Sequence, residues 1–129
     1  MAYPTSYEHA TVFESTVAKL VVLYRIEYQK SGVSEKTAEI LKSIDACVPR
    51  GYYRHFKGGE YLVTGVRVDV NTHAIAVDYI PQQGPFAGMA ISRAIVGPDS
   101  FLRPINRPAY RGVRFTYFRD PDDDIVKID

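Results

Sequence analysis

At Pro49-Arg50-Gly51 the hydrophobic pattern of this chain changes period, and that change constrains the fold more than any other feature. Upstream, Ala10, Phe13, Val17, Leu20, Val21, Tyr24 and Tyr28 recur at the three- and four-residue spacing of one helix face. Val12, Val22 and Ile26 widen the stripe, so this helix carries apolar residues on more than one side. Thr5, with Glu8 three residues on, predicts a capping box at its start, and Gly32 predicts its end. Ser34 predicts the cap of a second helix, on which Ala38, Leu41 and Ile44 share a face.

Downstream the period is two. In EYLVTGVRVDV, residues 60–70, Leu62, Thr64, Val66, Val68 and Val70 alternate with Tyr61, Val63, Gly65, Arg67 and Asp69. The first set is the more apolar and is expected to face the core throughout. Asn71-Thr72-His73 predicts a hairpin loop into AIAVDYI, PQQGPFAG a long break, MAISRAI a third strand and VRFTYF a last one. In that last strand Val113, Phe115 and Tyr117 share a face. Gly58-Gly59 predicts a tight turn. The expected fold class is α+β, with two N-terminal helices followed by a small antiparallel sheet, either curled or closed as an SH3-like barrel. One domain is expected, with a helical part over 1–48, a β part over 50–118 and an acidic tail over 119–129.

The formal charge of +1 hides an asymmetry. Residues 1–49 carry a net −1, residues 50–119 a net +6 and residues 120–129 a net −4. Nine of the ten basic residues in the middle segment are arginine, whose planar fork meets phosphate or carboxylate at two points and stacks on rings. The alternative for these arginines is dispersal over a solvated surface. A single cysteine, Cys47, rules out an internal disulfide and favours a cytoplasmic setting, in the host cytoplasm if the chain is phage-encoded. No basic leader precedes an apolar run, and the longest apolar run, Leu20 to Leu23, is far too short to span a bilayer.

Two stretches carry the candidate site. YYRHFK interleaves rings and cations, giving Tyr53, Arg54, His55, Phe56 and Lys57 as candidate ligand contacts. In an extended chain Tyr52, Arg54 and Phe56 face one way and Tyr53, His55 and Lys57 the other. Rings stack on nucleobases and cations meet phosphates. FLRPINRPAYR places Arg103, Arg107 and Arg111 four residues apart, with Pro104 and Pro108 excluding a regular helix. A stiff arginine-presenting loop is expected there, and Arg93 in the third strand joins the candidates. Catalytic and metal signals are poor. Three histidines and one cysteine show no zinc-ligand spacing, and neither G-x-S-x-G nor a Walker motif occurs. Asp120, Asp122 and Asp124 alternate, but the glycine and glutamate of a calcium loop are missing, so a solvated tail is expected. No cofactor is expected.

The stretch YRHFKGGEYLVTGV, residues 53–66, resembles the signature of domain of unknown function 1653. The downstream VDYI, the arginine-containing third strand and Arg114-Phe115 follow in the family's order, so the resemblance covers roughly residues 50–118. Arg93 is followed by Ala94 and not by the family's usual proline, and Phe101 lies further on than its phenylalanine. The resemblance implies a small SH3-like β-domain and no established activity. More loosely, a long and a short helix ahead of a compact β-domain is similar to phage proteins of the Thoeris anti-defence type, which assemble as oligomers and sequester cyclic nucleotide signals. The expected function is therefore a non-enzymatic, homo-oligomeric binding protein, self-associating through its N-terminal helices and holding a small anionic nucleotide-like ligand. The alternative is an SH3-like adaptor for nucleic acid or protein. Salt dependence separates the two.

Overall fold

The computed structural model describes residues 2–121, so most of the expected acidic tail lies outside the described residues. Helix α1 runs over Tyr7–Ser31 and α2 over Glu35–Ala46. Seven strands follow: β1 Gly51–His55, β2 Glu60–Val68, β3 Ile75–Pro81, β4 Ile91–Ala94, β5 Ile105–Arg107, β6 Tyr110–Gly112 and β7 Phe115–Arg119. The change of period at Pro49-Arg50-Gly51 is the boundary between helices and sheet.

The cap of α1 is Ser6 and not Thr5. Ser6 has the extended backbone a cap needs, and its Oγ accepts from the His9 N–H at 3.1 Å. The Ser34 cap of α2 is as expected, and Thr37 returns the bond to the Ser34 N–H at 2.8 Å. Gly32 ends α1 with φ 60, where its N–H reaches the Tyr28 carbonyl.

Five strands form an antiparallel sheet in the order β4-β3-β2-β1-β7, and β5 pairs with β6 in a separate ribbon. The α+β class and the antiparallel sheet are as expected. The barrel form is not, because β4 and β7 are the two edges and do not pair with each other. The proline-rich stretch expected to be a loop is the β5–β6 ribbon, turning through Pro108-Ala109.

The β2 alternation is corrected at Thr64. There the β2–β3 register slips, with Val63 opposite Tyr79 and Gly65 opposite Asp78. The extra residue switches the faces, so Val63 is buried before the bulge while Val66 and Val68 pack against the core after it. The helices cover the inner face of the sheet. Phe13, Val17 and Val21 of α1 and Ile40 and Ile44 of α2 meet Tyr53, Val63, Val77, Phe101 and Phe115 in one core.

Gly51 is fixed by space as well as by backbone angle. A Cβ there would lie 2.5 Å from the Arg119 carbonyl oxygen of β7, at φ 145. Gly51→Ala should therefore destabilise the protein by at least about 2 kcal/mol, read as a lowered denaturant midpoint. An unchanged midpoint would mean that the β1–β7 contact is looser than this.

Candidate functional site

The strand β1 alternation holds to His55 and then stops. Tyr53 and His55 turn to the inner face, and Arg54 to the outer. Gly58 and Gly59 take φ 98 and φ 86 in the predicted turn, and the His55 N–H closes it on the Gly59 carbonyl at 3.1 Å. Phe56, one residue past the strand, no longer follows the alternation. Its ring stacks on Tyr110 of the β5–β6 ribbon at 5.4 Å, with the Arg107 guanidinium 5.2 Å and the Lys57 ammonium 5.7 Å from its centre.

His55 is the centre of the candidate site. Its ring lies 4.7 Å from Phe56 and 4.9 Å from Phe115. Its Nδ1 accepts from the Lys57 backbone N–H at 3.2 Å, which leaves the neutral ring's proton on Nε2. Burial pushes its pKa down to about 4, and the charges of Arg93, Arg114, Lys57 and Arg107 push in the same direction. Four cations thus act together on one neutral imidazole.

Arg93 reaches the site from β4. It donates to the Tyr79 hydroxyl at 3.3 Å and to the Asp99 carbonyl at 3.0 Å, and lies 5.5 Å above the Phe115 ring. Arg114 comes from the residue before β7 and is only 7 % exposed. Its Nε donates to the Arg103 carbonyl at 3.3 Å, and its Nη2 lies 3.7 Å from the Asp99 carboxylate. Burial and the neighbouring Arg93 charge lower its pKa from the usual arginine value, while Asp99 opposes them.

Of the predicted residues, the structure brings His55, Phe56, Lys57, Arg93 and Arg107 together. It does not bring the other four. Tyr53 is fully buried in the core and donates to the Pro49 carbonyl at 2.6 Å, so its ring is not available to a ligand. Arg54 faces outward, 4.5 Å from the Phe118 ring and 3.4 Å from Glu60. Arg103 is held by Glu14 of α1 at 2.7 Å. Arg111 is held by Glu8 at 2.7 Å and stacks on Tyr7 at 4.0 Å. The sequence reading missed Arg114, Tyr110 and Asp99. The Arg114-Phe115 pair was the available signal, but strict alternation would have turned Arg114 to solvent.

An apolar cavity of about 260 Å³ lies elsewhere, between the end of α1, α2 and the β2–β3 hairpin. Its lining, which includes Tyr24, Tyr28, Leu41, Val68 and Val70, is aliphatic and aromatic apart from Ser34, Thr37 and His73. It can seat an apolar group but offers no charge to orient one. Cys47 caps α2 with its Sγ on the Ser43 carbonyl, and burial raises its thiol pKa. Among the described residues no three His, Cys, Asp or Glu side chains are grouped to hold a metal, and no helix is long and apolar enough to cross a membrane.

The family model "Protein of unknown function (DUF1653)" matches residues 51–117, from the first residue of β1 into β7. Among solved structures, the chain is similar to a protein of the same family from Bordetella bronchiseptica, with 23 % identity and a TM-score of 0.49 over 57 % of this chain and 90 % of that one. No curated protein matches it.

In a ¹H–¹³C titration the His55 ring should show its midpoint at about 4, and Arg93→Ala should move that midpoint upward by removing a like charge. A folded pKa below the unfolded value of 6.5 means that the unfolded chain binds the extra proton. The His55 contribution is complete above about pH 6.5 and is lost as the pH falls toward 4. A midpoint near 6.5 in both proteins would show that the arginines do not act on the ring.

Proposed function

The chain belongs to the family of proteins of unknown function DUF1653, and from that premise, which brings no activity with it, we propose that it is a non-enzymatic binding protein for a small anionic, nucleotide-like ligand. The observation that carries the reading is the convergence of Lys57, Arg93, Arg107 and Arg114 on His55 beside the Phe56–Tyr110 stack. Cations of one sign held among rings and partly out of water attract an anion more strongly than the same cations spread over a surface. In this reading Arg107, Arg93, Arg114 and Lys57 meet phosphate oxygens, the Phe56–Tyr110 pair offers a ring face to a base, and the His55 Nε2–H donates a neutral hydrogen bond. In its narrower form the ligand is a cyclic nucleotide or cyclic ADP-ribose signal that the protein sequesters without altering it. The exposed apolar residues of α1, Val12, Val22, Leu23 and Ile26, are the surface this reading assigns to self-association.

A thermal-shift screen against mono-, di- and cyclic nucleotides and ADP-ribose derivatives tests the ligand. A binder at a hundred times its Kd adds about 2.7 kcal/mol of stability. Arg107→Ala and Arg93→Ala should each weaken binding about tenfold or more, while Arg54→Ala on the outer face should not. The bound anion should also raise the His55 midpoint, because it offsets the cations that depress it. Recovery of the ligand as a product would make the protein an enzyme. Binding to polynucleotides that falls about a decade per tenfold of salt for each phosphate neutralised would favour the adaptor reading.

Self-association has its own check. Light scattering after gel filtration should show an oligomer for the native chain and a monomer for the double variant Leu23→Asp, Ile26→Asp. A monomeric native chain would remove this part of the reading.

A further inference from the structure

The acidic residues of the β part are almost all engaged away from the cationic cluster. Glu60 pairs with Arg54, Asp78 pairs with Arg67, and Asp69 accepts from the Asn71 and Thr72 N–H groups in the β2–β3 turn. Asp99 is the exception. Its carboxylate faces the nearly buried Arg114 at 3.7 Å, yet its own side chain is 91 % exposed. That separation is longer than a charge-assisted hydrogen bond, which runs at about 2.7–2.9 Å. Asp99 therefore holds the guanidinium loosely and from the solvent side.

Its placement is nevertheless built. Asp99 sits at φ 53, a left-handed conformation that Asp and Asn adopt more readily than most residues other than glycine. Both flanks of the residue are tied to helix α1, because Glu14 Oε2 accepts from the Gly97 N–H and from the Ser100 Oγ, each at 3.1 Å. The Asp99 carbonyl accepts from Arg93. One residue thus touches two of the four cations, with its backbone on one and its carboxylate on the other.

We propose that Asp99 is a resident counter-anion, occupying on Arg114 the place that the ligand's phosphate takes, and so determines which anions the site accepts. The proposal rests on the anion-binding reading above. Tethering gives the Asp99 carboxylate a high effective concentration at Arg114, so a free ligand must offer more than one equal charge to replace it. A singly charged phosphodiester offers no net gain there. A pyrophosphate or a phosphate monoester brings a second charge and several oxygens, and the Arg93 bond to the Asp99 carbonyl can persist while the carboxylate swings out. The ligand class narrows to nucleotides with a pyrophosphate or a terminal phosphate, which keeps cyclic ADP-ribose within the reading above and removes cyclic mononucleotides from it.

The test is calorimetric titration of the full chain with inorganic pyrophosphate and with ADP-ribose. The native protein is compared with Asp99→Asn, which removes the charge, and with Asp99→Gly, which also suits the left-handed backbone and so keeps the fold safe. Both variants should bind each ligand about 1.4 to 5 times more tightly, the range expected for losing an exposed competing ion pair. Affinity that is unchanged or weaker in both variants, with the native chain still binding, would overturn the counter-anion role and leave the binding reading standing. If neither ligand binds any of the three proteins, the binding reading fails and this inference fails with it.

Discussion

The carboxylate of Glu14 is the constraint on which the packing of helix α1 against the 97–103 segment depends. It lies in the second turn of α1, nearly buried, and accepts from the Gly97 N–H, the Ser100 hydroxyl and the Arg103 guanidinium. A buried carboxylate is costly unless its charge is matched and its lone pairs are used, and here three donors do both. All three lie on one segment, 97–103, which has no regular structure of its own. That segment sends Phe101 and Leu102 into the core and leaves Asp99 outside, so one polar anchor sets both a core wall and the rim of the candidate site. Helix and sheet are joined by a specific charge as well as by apolar contact.

The core and the site are two ends of one inner face. Under the helices it is aliphatic, with Val17, Val21, Ile44, Val63 and Val77. It becomes aromatic at Tyr53, whose ring meets Tyr3, Phe101 and Tyr117 edge-on at 5.2–5.5 Å. Phe115 is the joint. It stacks on Phe101 at 4.3 Å, and it also meets His55 at 4.9 Å and lies 5.5 Å below Arg93. Arg93 and Arg114 therefore rest on the end of a close-packed core, where solvent screens them less than it screens the exposed Lys57 and Arg107. That position explains why burial leads the causes of the low His55 pKa and the neighbouring charges follow it.

The sequence carried the parts of this arrangement that depend on neighbours in the chain. The helix stripe, the Ser34 cap, the Gly58-Gly59 turn and the inward phase of Tyr53 and His55 are all local consequences of residue type and period. The Thr64 bulge is not local. It is one extra residue accommodated by β3, and its one local mark in EYLVTGVRVDV is Gly65, a glycine inside a strand at the slip itself. Alternation also loses its meaning one residue outside a strand, so it puts Phe56 on the wrong side and would turn the buried Arg114 to solvent. Arg103 and Arg111 escaped for a different reason. Their partners Glu14 and Glu8 stand 89 and 103 residues away in the chain, beyond the reach of any spacing argument.

Those distant pairings decide where the charge of the middle segment ends up. Arg50, Arg54, Arg67, Arg103 and Arg111 each meet a carboxylate within 4.0 Å, two of them on helix α1 and one on α2. Arg119 lies over the Tyr52 ring, on the opposite side of β1 from His55. Lys57, Arg93, Arg107 and Arg114 are left sharing the surroundings of His55, with Asp99 as the one carboxylate described beside them. The net +6 of residues 50–119 is therefore not spread as a stripe along the sheet. Folding pairs five outlying arginines with carboxylates and leaves Lys57, Arg93, Arg107 and Arg114 concentrated at one place. Net charge by segment is legible in a sequence; the position of the charge left over after pairing is a property of the fold.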